Sequence, residues 1–177
     1  WKTLKDTCTV ALEEWKANNP DKALDDTKFW MTGELYGYTP SYNNYFSAGG
    51  FDSLINFQTQ GAGYISQSNI DNVYTSYANQ FNTREGYNVL SYISSHDTVL
   101  ARNNTIWNGS ALLLLPGGVQ IYYGDESNRP LLNISTDGNH DTRSDMNWNN
   151  MDQNNLAHWQ KVGTFRNNHI AVGAGSH

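Results

Sequence analysis

The chain has 177 residues, of which 38% are hydrophobic and 16% charged, a balance that fits one globular domain and excludes a disordered or collagen-like chain. Its net charge of -6, from 17 acidic and 11 basic residues, argues against a nucleic-acid partner, because binding to phosphates depends on lysine and arginine. The longest apolar run, residues 111–115, is far shorter than the roughly 20 residues that cross a bilayer, so no membrane contact is expected.

The first predicted element is a helix that begins at residue 1. Apolar side chains recur there every three or four residues, and the pattern stops near Asn18 and Pro20. Helices usually begin after a capping residue, and none precedes Trp1. We therefore expect this sequence to be a piece of a longer one.

Four short strands are predicted after this helix, over residues 28–34, 51–57, 89–93 and 119–123. Residues 35–50 form a long loop rich in glycine and tyrosine, and apolar periodicity predicts helices over residues 70–81, 107–115 and 154–168. This alternation indicates βα units in a parallel sheet. Because no strand is followed by a Gly-rich phosphate loop, the pattern favours a piece of a barrel over a nucleotide-binding fold.

Two strand ends carry groups that can act on a substrate. Glu34 follows Gly33 at the end of the first strand, and His96 and Asp97 follow the third. In parallel α/β folds, ligands bind at this end of the strands. Two carboxyls and an imidazole can protonate a leaving group and stabilise a cationic transition state, although such residues also serve as helix caps or ion-pair partners.

Four ordered segments resemble the retaining α-amylase family of glycoside hydrolases. Residues 30–34, 95–98 and 119–126 are similar to the fifth, seventh and eighth strands of that family's barrel, and residues 143–148 are similar to its Arg-x-Pro-Met-x-Trp stretch. The resemblance implies an α/β fold, the C-terminal half of a TIM (β/α)₈ barrel. Residues 1–168 would form this half-barrel, and residues 169–177 would begin a connection to a C-terminal β-domain.

The resemblance also implies roles for individual residues. Glu34 would be the general acid and then the general base, while Asp97 and His96 would bind the hydroxyls of the reacting sugar. Tyr36 and Arg102 are also predicted to bind substrate. A tyrosine in this loop can stack on a sugar ring, and it can equally pack the loop onto the barrel.

The family's nucleophile has no counterpart in this sequence. It is an Asp that ends the fourth strand in a pattern like Gly-x-Arg-x-Asp, and residues 1–19 resemble the helix that follows that strand. The nucleophile is therefore expected upstream, and the chain alone is predicted to be inactive. Two smaller departures are Ser95, where many members have Asn, and Asp145, where many have Pro. Four strands would also leave two open barrel edges, through which the fragment could self-associate.

The predicted function is cleavage of α-1,4-glucosidic bonds in starch or maltodextrins, in the periplasm or outside the cell. The alternatives are a catalytically inactive carbohydrate-binding or assembly module on the same barrel and a transglycosylase of the same family. No cofactor is predicted in the fragment, while Ca²⁺ is a candidate for the full-length enzyme. One oxygen-rich loop could hold a cation or be a solvated turn, and its residues are Asp137, Asn139, His140, Asp141 and Asp145.

Overall fold

A computed structural model describes residues 1–133 and 140–175 of the chain. Four strands form one parallel sheet, and they are β1 (Thr32–Gly33), β2 (Ser53–Asn56), β3 (Asn88–Ser91) and β4 (Gly118–Val119). Their order in the sheet is β1-β2-β3-β4, the same as in the sequence. A doubly wound sheet reverses its strand order, whereas a barrel does not, so this order is that of a partial barrel.

Six α-helices accompany the sheet in the described residues. They are α1 (Lys2–Asn18), α2 (Asn44–Ser47), α3 (Ile70–Asn82), α4 (Thr105–Leu113), α5 (Gln153–Asn168) and α6 (Ile170–Ala174). The four predicted helices are confirmed as α1, α3, α4 and α5. Helix α3 follows its apolar stripe closely, since it buries Val73, Tyr77 and Phe81 against the sheet side of the core. None of the helices in the described part of the chain is long and apolar enough to cross a membrane.

The outer strands are shorter than predicted, because each has a pairing partner on one side only in the described residues. Strand β1 spans two residues instead of 28–34, and β4 spans two instead of 119–123. The segment before β1 is held by side chains instead: Lys5 donates to the carbonyl of Phe29 over 2.8 Å, and Asp52 accepts from the amide of Met31 over 2.6 Å. Lys5 and Asp52 also form an ion pair with each other.

Two helices occur where the sequence predicted none. Helix α2 lies within the predicted loop 35–50, and the Asn43 side chain caps it by accepting from the amide of Tyr45 over 2.9 Å. Helix α6 lies in the segment predicted as a connection, and it packs against the barrel, where the amide of Gly117 donates to the carbonyl of Gly173 over 2.9 Å. The domain boundary after residue 168 stays a prediction.

Helices α4 and α5 pack closely because Gly109 has no side chain. A Cβ at Gly109 would lie 2.5 Å from the indole of the buried Trp159.

We expect Gly109→Ala to lower the free energy of unfolding by about 1–3 kcal/mol, the usual cost of overpacking a core. Gly163→Ala on α5 is the matched control, because its Cβ would meet nothing within 4 Å. The control should be stabilising by about 0.5–1 kcal/mol, since alanine favours helix. Urea unfolding measures both, and equal effects would contradict this packing.

Candidate active site

A pocket lies at the carboxyl ends of the strands, and residues that follow or end all four strands contribute to it. Glu34 comes directly after β1, Phe57 directly after β2 and Gln120 directly after β4. The stretch after β3 contributes most. The lining residues are Glu34, Tyr36, Ile55, Phe57, Tyr92, Ser95, His96, Asp97, Thr98 and Gln120.

Glu34 is positioned by the tight packing of the residue before it. A Cβ at Gly33 would lie 2.6 Å from the ring of Phe51, so glycine lets β1 approach this ring closely just before the carboxylate. The Glu34 side chain is exposed. It also borders a second cavity of about 490 Å³, which lies between α1 and β1 and is lined by Trp1 and Leu4 among others. Glu34 therefore lies between the pocket and this second cavity.

His96 and Asp97 form a pair that also lines the pocket. Oδ2 of Asp97 lies 3.1 Å from Nε2 of His96, and Oδ1 lies 3.3 Å from Nη2 of Arg143. The turn that carries His96 and Asp97 is closed by a backbone hydrogen bond, in which the amide of Ser95 donates to the carbonyl of Val99 over 3.0 Å. Each oxygen of the Asp97 carboxylate thus has its own partner.

Tyr92 shows that the two carboxylates share one electrostatic environment. It is buried at the base of the pocket, and its hydroxyl donates to Oε1 of Gln60 over 3.0 Å. Burial is the larger cause that raises the pKa of Tyr92, and together with the negative charges of Glu34 and Asp97 it raises this pKa to about 12. The structure therefore brings together Glu34, His96 and Asp97, which the sequence singled out separately.

The tyrosines of the 35–50 loop divide into two groups. Tyr38 is buried, and Tyr42 stacks on Phe46 with ring centroids 5.7 Å apart, so these rings pack the loop. Tyr36 instead lines the pocket with 83% of its surface exposed, and it touches Phe57 in an edge-to-face contact at 5.3 Å. Its free ring face is therefore available to a ligand.

Arg102 lies outside the residues that line the pocket. Its Nη1 donates to Oδ1 of the buried Asp125 over 2.6 Å, and its Nε donates to the carbonyl of Arg129 over 2.5 Å. Burial raises the pKa of Asp125, and this effect is opposed by a hydrogen bond from Ser94 and by the charge of Arg102. In this structure the Arg102 guanidinium joins the chain after β3 to the chain after β4.

The predicted cation loop falls partly outside the described residues, because Asp137 and Asn139 belong to the stretch 134–139. Among residues 1–133 and 140–175, no three His, Cys, Asp or Glu side chains gather closely enough to hold a metal ion. His140 and Asp141 start a 3₁₀ turn that ends at Arg143.

Nearly the whole length of this chain is similar in sequence to part of one known enzyme. It is 45% identical over 178 residues to the periplasmic alpha-amylase of Escherichia coli K12, a match that covers 99% of this chain and 26% of the relative. The chain thus spans about a quarter of the length of the relative it matches. No protein-family profile matches the chain.

Two solved structures share the fold over most of this chain. A cyclic alpha-maltosyl-(1→6)-maltose hydrolase from Arthrobacter globiformis matches with a TM-score of 0.61 and 18% identity, over 90% of this chain and 37% of that one. An alpha-amylase from H. orenii matches with a TM-score of 0.52 and 18% identity, over 90% of this chain and 40% of that one. The chain is therefore similar in sequence to an alpha-amylase over about a quarter of that enzyme's length, and its fold is that of a partial (β/α)₈ barrel.

Proposed function

We propose that this chain is part of a glycoside hydrolase that cleaves α-1,4-glucosidic bonds in starch or maltodextrins with retention of configuration. The observation that carries the proposal is the pocket that Glu34 and Asp97 share at the carboxyl ends of the strands. The 45% identity to a periplasmic alpha-amylase supports the reaction, and it also supports a location in the periplasm or outside the cell.

Glu34 is the proposed acid. Its carboxyl donates a proton to the glycosidic oxygen as the bond to the anomeric carbon breaks, and the resulting carboxylate later removes a proton from the attacking water. An exposed carboxyl at the edge of the pocket can reach a bond that lies across the opening. Asp97 and His96 then bind the hydroxyls of the same sugar ring, and the Asp97 carboxylate stabilises positive charge on that ring.

A nucleophile from outside this chain is the proposed third carboxylate. Retaining enzymes form and then hydrolyse a covalent glycosyl-enzyme, which needs a second carboxyl about 5–5.5 Å from the acid. Among the described residues, Glu34 and Asp97 are the carboxylates that line the pocket, and Asp97 has the sugar-binding role. The resemblance assigns the nucleophile to the preceding barrel strand, so residues 1–177 alone should not complete a turnover.

The test is the release of reducing ends by the full-length protein that contains this chain. We expect release from maltodextrin, none from cellodextrin, and none from residues 1–177 alone. The α-anomer should appear first by proton NMR, because two inversions restore the configuration. Full-length protein that binds maltodextrin without cleaving it would support a binding module instead, and products longer than the substrate would support a transglycosylase.

We also propose that the isolated fragment self-associates through its uncovered edges. Strands β1 and β4 have unpaired sides in the described residues, and an unpaired strand edge recruits another chain. Helix α1 adds exposed apolar surface, with Trp1 70% and Leu4 49% exposed. Sedimentation velocity should show a mass above 19.9 kDa that rises with concentration, and a strictly monomeric fragment at high concentration would contradict the proposal.

A further inference from the structure

We propose that Arg143 is a positioning residue that holds Asp97 and His96 in the orientation needed to bind the reacting sugar. The inference rests on the proposed function and adds to it a residue outside the two strand ends that the sequence singled out. Three observations support it. They are the contacts of the Arg143 side chain, the hydrogen bonds that hold its backbone, and the hydrogen bonds that Asp97 can still accept from a sugar.

The backbone around Arg143 is fastened from beneath by a buried arginine. Arg129 is completely buried, and its Nη2 donates to the carbonyl of Thr142 over 3.1 Å while its Nη1 donates to the carbonyl of Ser144 over 3.0 Å. The Arg129 guanidinium also stacks 3.8 Å from the ring centroid of Tyr123. One rigid, fully buried cation therefore fixes the residues on both sides of Arg143.

Along residues 142–144 the side chains alternate between buried and exposed positions. Thr142 and Ser144 are buried, and Arg143 between them is exposed and directed to the pocket wall. The Ser144 hydroxyl adds a further tie, because it donates to the carbonyl of Pro130 over 2.6 Å. The backbone of Arg143 is thus held on both sides, which fixes the point from which its side chain extends.

The Arg143 side chain contacts the turn that carries His96 and Asp97 at two points. Its Nη2 lies 3.3 Å from Oδ1 of Asp97, and its Nε donates to the carbonyl of His96 over 3.2 Å. The Thr142 hydroxyl donates to the same carbonyl over 2.7 Å. The side chain and the backbone of the His96-Asp97 turn are thus held by one short segment, which lies 46 residues further along the chain.

This arrangement leaves Asp97 able to bind a sugar. Each carboxylate oxygen can accept about two hydrogen bonds, and here Oδ1 has the Arg143 guanidinium and Oδ2 has His96 as partners. One site on each oxygen remains for a sugar hydroxyl. The guanidinium also offsets the repulsion between Asp97 and the Glu34 carboxylate, which forms when the acid has given up its proton.

Stability alone does not account for this contact. The side chains of Arg143 and Asp97 are 45% and 53% exposed, and ion pairs with that exposure contribute little to stability. Loss of the Arg143 head group should therefore leave folding almost unchanged, and its effect should be seen in turnover. Lysine cannot replace it fully, because one ammonium cannot make the same two contacts as a planar guanidinium.

The experiment compares Arg143→Met, Arg143→Lys and the control Arg84→Met in the full-length protein, with maltodextrin as substrate. Arg84 is exposed and lies over the ring of Tyr42, outside the pocket. We expect Arg143→Met to lower kcat about 30- to 100-fold with KM changed less than about threefold, since a small misplacement of a reacting group costs up to about 10²-fold. Arg143→Lys should lose about tenfold, and Arg84→Met should match the wild type.

Three outcomes would overturn the proposal. Unchanged kcat in Arg143→Met removes the positioning role. A lower melting temperature with normal kcat per folded molecule indicates a purely structural contact. A loss in Arg84→Met as large as that in Arg143→Met shows that the effect does not come from the contacts of Arg143 with Asp97 and His96. Glu34→Gln, assayed in parallel, separates the proposed function from the role of Arg143. If Glu34→Gln retains wild-type activity, the proposed function fails. If Glu34→Gln loses activity while Arg143→Met is unaffected, only the role of Arg143 is refuted.

Discussion

Glu34→Gln in the full-length protein should lower kcat on maltodextrin by about 10³-fold. Glutamine keeps the size of the side chain and cannot give a proton to the glycosidic oxygen, and general acid catalysis is worth about 10²–10⁴-fold. The change falls on an exposed side chain, so the fold should be unaffected. Initial rates of reducing-end release measure the loss, and circular dichroism checks the fold.

A substrate that needs no acid makes this result specific to the acid role. Fluoride leaves without protonation, so Glu34→Gln should release the first equivalent of fluoride from α-maltosyl fluoride in a burst, at a rate within about tenfold of the wild type. Later turnovers should stay slow, because Glu34 is also the base that activates water. Glu85→Gln is the matched control, because Glu85 is an exposed glutamate in the turn before β3. A fluoride burst slowed as much as the maltodextrin reaction would show that Glu34 is not the proton donor.

Asp97→Asn should lower kcat by about 10²–10³-fold on both substrates. The loss comes from the charge that Asp97 holds next to the developing oxocarbenium ion, and preorganised groups of this kind are worth that much in other enzymes. Asparagine can still bond to His96 and to a sugar hydroxyl, so KM should change far less than kcat. Initial rates over a range of maltodextrin concentrations separate the two constants.

The fluoride distinguishes the two carboxylates. A better leaving group does not replace the charge of Asp97, so Asp97→Asn should stay impaired where Glu34→Gln recovers. Asp26→Asn, at an exposed position in the loop before β1, serves as the control. Recovery of Asp97→Asn on α-maltosyl fluoride would mean that Asp97 assists the leaving group and that the two assignments must be exchanged.

The four longer helices, α1, α3, α4 and α5, were predictable because their signal is local, whereas the short helices α2 and α6 were not predicted. The apolar stripe of α3 is complete in the sequence, and the structure buries the same side chains. Strand lengths were not predictable in the same way, since β1 and β4 end where pairing ends. Apolar residues such as Ile121 continue the strand pattern after β4, and that side chain is 46% exposed.

The site residues that could be predicted are those that come after a strand in the sequence. Glu34 follows β1 directly, His96 and Asp97 lie in the turn that comes after β3, and a parallel sheet brings such positions to one edge. Arginine side chains were harder to assign, because their contacts are long-range. Arg102 follows the His96-Asp97 turn closely in sequence and is directed to Asp125, whereas Arg143 is far away in sequence and contacts Asp97.

The most direct test of this account is a crystal structure of full-length Glu34→Gln with maltoheptaose. We expect one glycosidic oxygen within about 3.2 Å of the side-chain amide at position 34, the normal reach of a hydrogen bond. Hydroxyls of the adjoining ring should bond to Asp97 and His96, and an aspartate from the preceding strand should face its anomeric carbon. Density for the sugar elsewhere, with this pocket holding only solvent, would contradict the assignment of the active site.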